Sequence, residues 1–208
     1  MMDILEEKSI TQVLKESLSK AISYGDYRIL VAQLAIDGKS TSPFQNEALT
    51  KYTLLNDKRM KRLDKTLKFS DSIISKIKKI DKKVTWLVLT ESWCGDAAQT
   101  MPVMNKIAEL NSNIDFKVVF RDENLALMNH FLTNGTLSIP KLIMIDDATN
   151  AIFSDWGPRP SIATKMVDIY KKKNGVLTDE FKQELQLWYT KDKGQNTVED
   201  LLSCLLLK

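Results

Sequence analysis

The stretch VTWLVLTESWCGDAAQTMP, Val84 to Pro102, decides the fold. VTWLVLT is a short, continuous run of β-branched and aromatic residues, the pattern of a strand buried on both faces, and such strands belong to parallel sheets. A helix from about Cys94 to Leu110 follows it. Cys94 therefore stands where a strand hands over to a helix, facing backbone N–H groups that lack a helical partner and the positive end of the helix dipole. Both favour thiolate over thiol, so Cys94 is expected to be more acidic than a free cysteine.

Downstream, strands are predicted in DFKVVF (115–120), KLIMID (141–146) and AIFSDW (151–156), with a helix through Leu125 to Leu132. Asp146, Asp147 and Asn150 supply turn chemistry between the last two strands, which predicts an antiparallel hairpin. A helix from about Ser161 to Lys172 closes a layered α/β unit with a right-handed crossover. Two more helices follow, one entered at Thr178-Asp179-Glu180 and one capped by Thr197 with Asp200 in its first turn.

Upstream, the first eighty residues read as helix throughout. Ile10, Val13, Leu14, Leu18, Ala21 and Ile22 form one stripe over 10–24, and a second helix covers Tyr27 to Ile36. Ser42-Pro43 supplies a cap and a first-turn proline for helices over 44–80, with Leu54, Leu55, Met60, Leu63, Leu67, Ile73, Ile74 and Ile77 as inward candidates. The expected organisation is a helical N-terminal extension (1–80), an α/β core (81–170) and C-terminal helices packing on that core (171–208).

At 208 residues and 43% hydrophobic, the chain can bury one core with some length left for an appendage. Lys and Arg total 30 against 27 for Asp and Glu, a net +3 that is too small to imply nucleic acid or a membrane as partner. The basic run Lys58, Arg59, Lys61, Arg62, Lys65 and Lys68 lacks interleaved aromatics and is offset by Asp57 and Asp64, so it reads as a solvated helix face. MMDILEEKSI lacks the basic start and apolar run of an export signal, and no stretch approaches the roughly 18 apolar residues of a membrane span. The expected location is cytoplasmic. Two cysteines, Cys94 and Cys204, make a structural disulfide framework unexpected and suit a reducing compartment. Apolar helical packing explains Cys204, His130 is expected at or near the surface, and Trp86, Trp156 and Trp188 read as packing residues. No carboxylate pair, Cys/His cluster or glycine-rich loop suggests a metal or nucleotide site.

Three features together resemble the thioredoxin superfamily over roughly residues 81–170. These are TESWCGDA directly after a buried strand, Pro102 inside the following helix, and Ser138-Ile139-Pro140 just before KLIMID. The combination of WCGD with a small residue after it, a polar helical extension and Trp156-Gly157-Pro158-Arg159-Pro160 after the last strand looks like a bacterial thioredoxin-like subfamily. The resemblance implies a thioredoxin-like fold, a central mixed sheet flanked by helices, with Cys94 as the reactive residue. It also implies a cis bond before Pro140 lying against the sulfur, with the backbone of Ile139 as a peptide-binding edge. Trp93 would shield the sulfur, Gly95 would let another chain approach, and Arg159 would contact an anion. The partners implied are protein or small-molecule thiols and disulfides, with no bound cofactor and a low-molecular-weight thiol as co-substrate; the oligomeric state is left open.

The departures from that pattern matter as much. Ala97 stands where the family's second cysteine falls, so no disulfide can close within the motif. Asp96 replaces the proline between the cysteines and sets a carboxylate near the sulfur, which opposes thiolate formation. Val88 occupies the position at which many thioredoxins bury a proton-accepting carboxylate. Two functions follow: a monothiol protein whose Cys94 forms mixed disulfides that an external thiol resolves, or a non-catalytic module whose groove beside Pro140 holds an extended peptide.

Overall fold

The computed structural model describes residues 9–206. The polar start read above against an export signal lies, for 1–8, outside the described residues. In chain order the elements are α1 (Ile10–Ser19), β1 (Ile22–Ser23), α2 (Tyr24–Ile36), α3 (Glu47–Thr66), α4 (Asp71–Lys78), β2 (Val84–Thr90), α5 (Ala97–Leu110), β3 (Ile114–Phe120), α6 (Leu125–Met128), β4 (Lys141–Asp146), β5 (Ile152–Trp156), α7 (Ser161–Asn174), α8 (Asp179–Asp192) and α9 (Gln195–Leu206). The sheet order is β1-β3-β2-β4-β5. β2 runs parallel to β3, joined through α5, and the other neighbours are antiparallel. This is an α/β thioredoxin-like fold with helices added at both ends.

β2 lies at the centre, and six of its seven residues are buried, which is why its sequence reads as an unbroken apolar run. Trp86, Leu87, Val88 and Leu89 are fully enclosed. The same core takes in Val13 and Leu14 of α1, Tyr27 and Val31 of α2, Met60 of α3 and Ile77 of α4. The N-terminal helices thus pack on the α/β unit of their own chain, and one core runs across the boundary drawn at residue 80. At the other end, α7 and α8 form a smaller cluster from Ala163, Val167, Phe181, Leu185 and Tyr189, while α9 packs against α5 and β5.

Several predicted details change, each for a local physical reason. The first eighty residues are not all helical: α1 stops at Ser19, and Ile22–Ser23 pairs with Val118 and Lys117 at the edge of β3. Ser23 is the N-cap of α2 and must be extended for its Oγ to accept from the Asp26 N–H at 3.0 Å. α3 is capped by Asn46, whose Oδ1 accepts from Leu49 N at 2.9 Å, and not by Ser42. Leu54 and Leu55 point outward, while the polar Thr53 and Asn56 face in. α6 is a single turn, because the chain then folds about Asn134-Gly135, both at positive φ, with Thr133 and Thr136 exchanging backbone hydrogen bonds. α9 begins at Gln195, so Thr197 lies inside it. Asp200 instead reaches across to α7, accepting from Ser161 N at 2.6 Å and Ser161 Oγ at 2.9 Å, and thereby serves a helix whose own N-cap is Pro160.

β4 begins immediately after Ile139-Pro140, and β5 ends against it. The Ile139–Pro140 and Gly157–Pro158 bonds are both cis, and Gly157 has φ +122°. A Cβ at Gly157 would stand 2.1 Å from the Pro140 carbonyl oxygen. Backbone meets backbone there, so no side-chain rotation relieves the clash. Gly157→Ala is expected to cost about 2 kcal/mol or more, read as a lowered chemical-denaturation midpoint; an unchanged midpoint contradicts this placement of the two segments.

Candidate functional site

The turn between β2 and α5 is built around Ser92. Buried polar groups must find partners, and Ser92 finds all of its partners in the N-terminal extension. Its N–H donates to Thr41 Oγ1 at 3.0 Å, its Oγ accepts from Thr41 N at 3.0 Å and pairs with Thr53 Oγ1 at 2.8 Å, and its carbonyl accepts from Asn56 Nδ2 at 2.9 Å. Glu91, fully enclosed, accepts from Thr41 Oγ1 and from Asp122 N. Burial raises its pKa, opposed first by the Thr41 bond. None of these residues was singled out by the sequence reading. The available signal was the 53–56–60–63 spacing on α3, where Thr53 and Asn56 fall on the same stripe as the buried Met60 and Leu63.

This clamp presents Cys94 just ahead of α5. Its N–H donates to Glu91 O and its carbonyl accepts from Ala98 N. The sulfur accepts from Ala97 N at 3.4 Å and, as a thiol, donates to Ile139 O at 3.2 Å across the turn before Pro140. Only 7% of the residue is exposed. Burial pushes the Cys94 thiol up to about 12, with the Asp96 carboxylate adding to the rise; the Ala97 and Asp96 amides and the Arg159 guanidinium pull the other way. The expectation of an acidic cysteine is therefore corrected. The leading amides do act on the sulfur, but desolvation and a neighbouring anion outweigh them.

Asp96 is the N-cap residue of α5 by position, yet its side chain makes no capping bond. Its carboxylate instead accepts from Tyr189 OH at 3.0 Å and pairs with Arg159 Nη2 at 2.7 Å. Burial raises the Asp96 pKa, with Arg159 the largest opposing influence, and burial likewise raises Tyr189 well above the usual phenol. Arg159, expected to meet an outside anion, is thus engaged by Asp96. Tyr189 comes from α8 and was invisible in the sequence, because nothing local distinguishes a helical tyrosine that caps a distant carboxylate from one that merely packs.

Above the sulfur lies a cleft of about 1090 Å³ between α3 and α8. Trp93, Cys94, Gly95, Asp96, Ile139 and Arg159 all line it, while Pro140 sits beneath the lining, buried. Trp93 is half-buried, with the Arg121 guanidinium 5.0 Å from its ring centroid. A Cβ at Gly95 would meet Arg59 Nη1 at 3.5 Å, an ordinary contact. Arg59 therefore turns into the cleft, which corrects the reading of the whole basic run as a solvated face. His130 is exposed, and Cys204 on α9 is half-buried; both cysteines are free. Among the described residues no group of His, Cys, Asp or Glu side chains is arranged to hold a metal, and no helix is long and apolar enough to cross a membrane.

Comparison with known proteins agrees with this architecture. A family model described as thioredoxin matches residues 42–181, more than half of the chain. No curated protein matches significantly. Among solved structures, a protein of unknown function from Pseudomonas aeruginosa superposes with a TM-score of 0.58 at 16% identity, over 88% of this chain and 97% of that one. An HIV epitope-scaffold gives 0.56 at 15% identity, over 88% and 98%. At such identities the likeness is one of fold.

The electrostatics of the sulfur make a direct prediction. A pKa raised to about 12 leaves the thiol protonated at neutral pH, so iodoacetamide alkylation of Cys94 should accelerate about tenfold per pH unit from neutrality to about pH 10, without a plateau. Asp96→Asn removes the nearby anion but keeps Arg159, so the same rate should rise several-fold at fixed pH. A plateau near neutrality in the wild type contradicts the assignment.

Proposed function

Because the chain belongs to the thioredoxin family, we propose that it is a single-thiol protein in which Cys94 forms mixed disulfides with partner thiols, in a reducing, cytoplasmic setting. The observation that carries this reading is the position of the sulfur at the floor of the cleft, within hydrogen-bonding distance of Ile139 O. A partner disulfide R–S–S–R′ that reaches the floor of the cleft meets the Cys94 sulfur there. The thiol gives its proton to solvent, the thiolate attacks, a bond forms between Sγ and R–S, and R′S⁻ leaves and takes up a proton. An external thiol R″–SH then attacks R–S, forming R–S–S–R″ and returning Cys94 to the thiol. The net change is a thiol–disulfide exchange: the R′ sulfur is reduced to a thiol, one external thiol sulfur is oxidised in its place, R–S stays at the disulfide level, and no metal or organic cofactor is needed.

The raised pKa shapes both halves of the cycle. Little thiolate is present at neutral pH, so capture is slow. A thiolate of high pKa is also a poor leaving group, so the captured partner is released slowly. Ala97 offers no second attack from within the motif, and Cys204 is held on α9 beside Ser154. Cys94 is thus suited to holding a partner longer than a two-cysteine protein would. The second reading is a non-catalytic binding module in which the cleft alone acts, and the buried, protonated sulfur favours it.

Intact-mass measurement separates the two. After incubation with glutathione disulfide, the Cys204→Ser protein should carry one glutathionyl group, absent when Cys94→Ser is added. Excess dithiothreitol should remove it. No adduct on folded Cys204→Ser protein overturns the mixed-disulfide proposal and leaves the binding module.

A further inference from the structure

The cationic side chains lining the cleft differ sharply in their partners. Arg159 pairs with Asp96, Lys182 with Asp179, and Arg121 with Asp122. Arg59 and Arg62, one helical turn apart on α3, have no carboxylate within ion-pairing distance among the described residues. Arg59 is half-buried, and its Nη1 donates to Asn56 Oδ1 at 3.0 Å. The Asn56 amide thereby holds Ser92 with one end and Arg59 with the other, fixing a guanidinium beside Gly95, the residue after the cysteine. Burial lowers the Arg59 pKa, and the opposing pull of Tyr52 and of the Asp96 carboxylate, which is itself ion-paired with Arg159, does not cancel that loss of water. A guanidinium offers five donors in a planar fork. One is used by Asn56, and those that remain are not sealed within protein.

The walls around these arginines also expose apolar side chains among polar ones. Tyr52 and Leu55 on α3, Leu137 ahead of the cis proline and Leu187 on α8 all line the cleft, with exposures of 42%, 42%, 39% and 61%. At about 1090 Å³ the space lies just above the range of drug-sized ligand pockets, which is more than a small thiol fills. We infer that the cleft seats an extended acidic segment of a partner protein, its carboxylates meeting Arg59 and Arg62 and its apolar side chains covering Tyr52, Leu55 and Leu187. The inference rests on the proposed function for the partner's cysteine lying at Cys94, but the recognition itself does not require the sulfur to react.

Two arms test it. In the first, fluorescein-labelled hexapeptides with alternating leucines and either glutamate, glutamine or lysine, and no cysteine, are titrated into Cys94→Ser protein and followed by anisotropy. The glutamate peptide should bind about tenfold or more tighter than the glutamine peptide, the lysine peptide should bind weakest, and added salt should erode the difference. Arg59→Gln and Arg62→Gln should each reduce the glutamate preference. Arg62 is exposed and braces nothing in the fold, so its substitution guards against a general loosening of the site. In the second arm, the same peptides carrying a cysteine as its 2-thiopyridyl disulfide react with Cys204→Ser protein, and 2-thiopyridone release is timed. Equal anisotropy affinities for glutamate and glutamine, or a preference unchanged in both arginine variants, overturn the inference. So does an arginine dependence seen with glutathione disulfide but not with the peptides. A preserved preference without 2-thiopyridone release sinks the mixed-disulfide reading alone.

Discussion

The buried Asp96 carboxylate is the interaction on which the site depends. It lies two residues after the cysteine, where the resembling pattern carries a proline, and it is held by Arg159 from the segment after β5 and by Tyr189 from α8. One side chain therefore joins the strand-to-helix turn to both later parts of the chain. The cost of burying the charge is offset only because a guanidinium and a hydroxyl meet it. Burial is the main cause of the raised pKa of Cys94, and the same charge adds to it. Architecture and reactivity are thus coupled: the group that docks α8 against the motif also helps burial keep the sulfur protonated.

The N-terminal helices are part of the site in an equally concrete sense. Thr41, Thr53 and Asn56 supply the bonds that Ser92 needs, and Arg59 projects from the same helix into the cleft. The match to the thioredoxin family begins at residue 42, well before the first long strand of the sheet. The two added helical regions form opposite walls over Cys94, so the groove is deeper than the bare α/β unit would provide. That depth is also why the sulfur is desolvated.

The fold was legible where the local pattern had only one physical outcome. VTWLVLT could be a buried central strand and little else, and KLIMID and AIFSDW, separated by turn formers, could pair only as a hairpin, which they do with Leu142 opposite Trp156. Boundaries differ where a short polar cap or turn overrides the apolar periodicity, as with Ser23 and Asp26 at α2 or Asn134-Gly135 after α6. The site was half legible. The motif stands out in the chain, and Ile139 enters through the resemblance, whereas Arg59, Tyr189 and the Ser92 clamp depend on contacts across tens of residues that no local signal encodes. The sign of the thiol shift was missed for a related reason: the helix terminus is visible in sequence, but the burial that outweighs it is a property of the assembled walls.

The account's central claim is that the resting sulfur is a buried thiol, protonated at neutral pH and donating to the Ile139 carbonyl. The Raman S–H stretching band of the Cys204→Ser protein at pH 7 tests this most directly, since the remaining cysteine is the sole source of the signal. A single hydrogen-bonded S–H band that vanishes on adding Cys94→Ser is the predicted result. Its absence at pH 7 in the folded Cys204→Ser protein would mean that Cys94 rests as a thiolate, and would contradict the account.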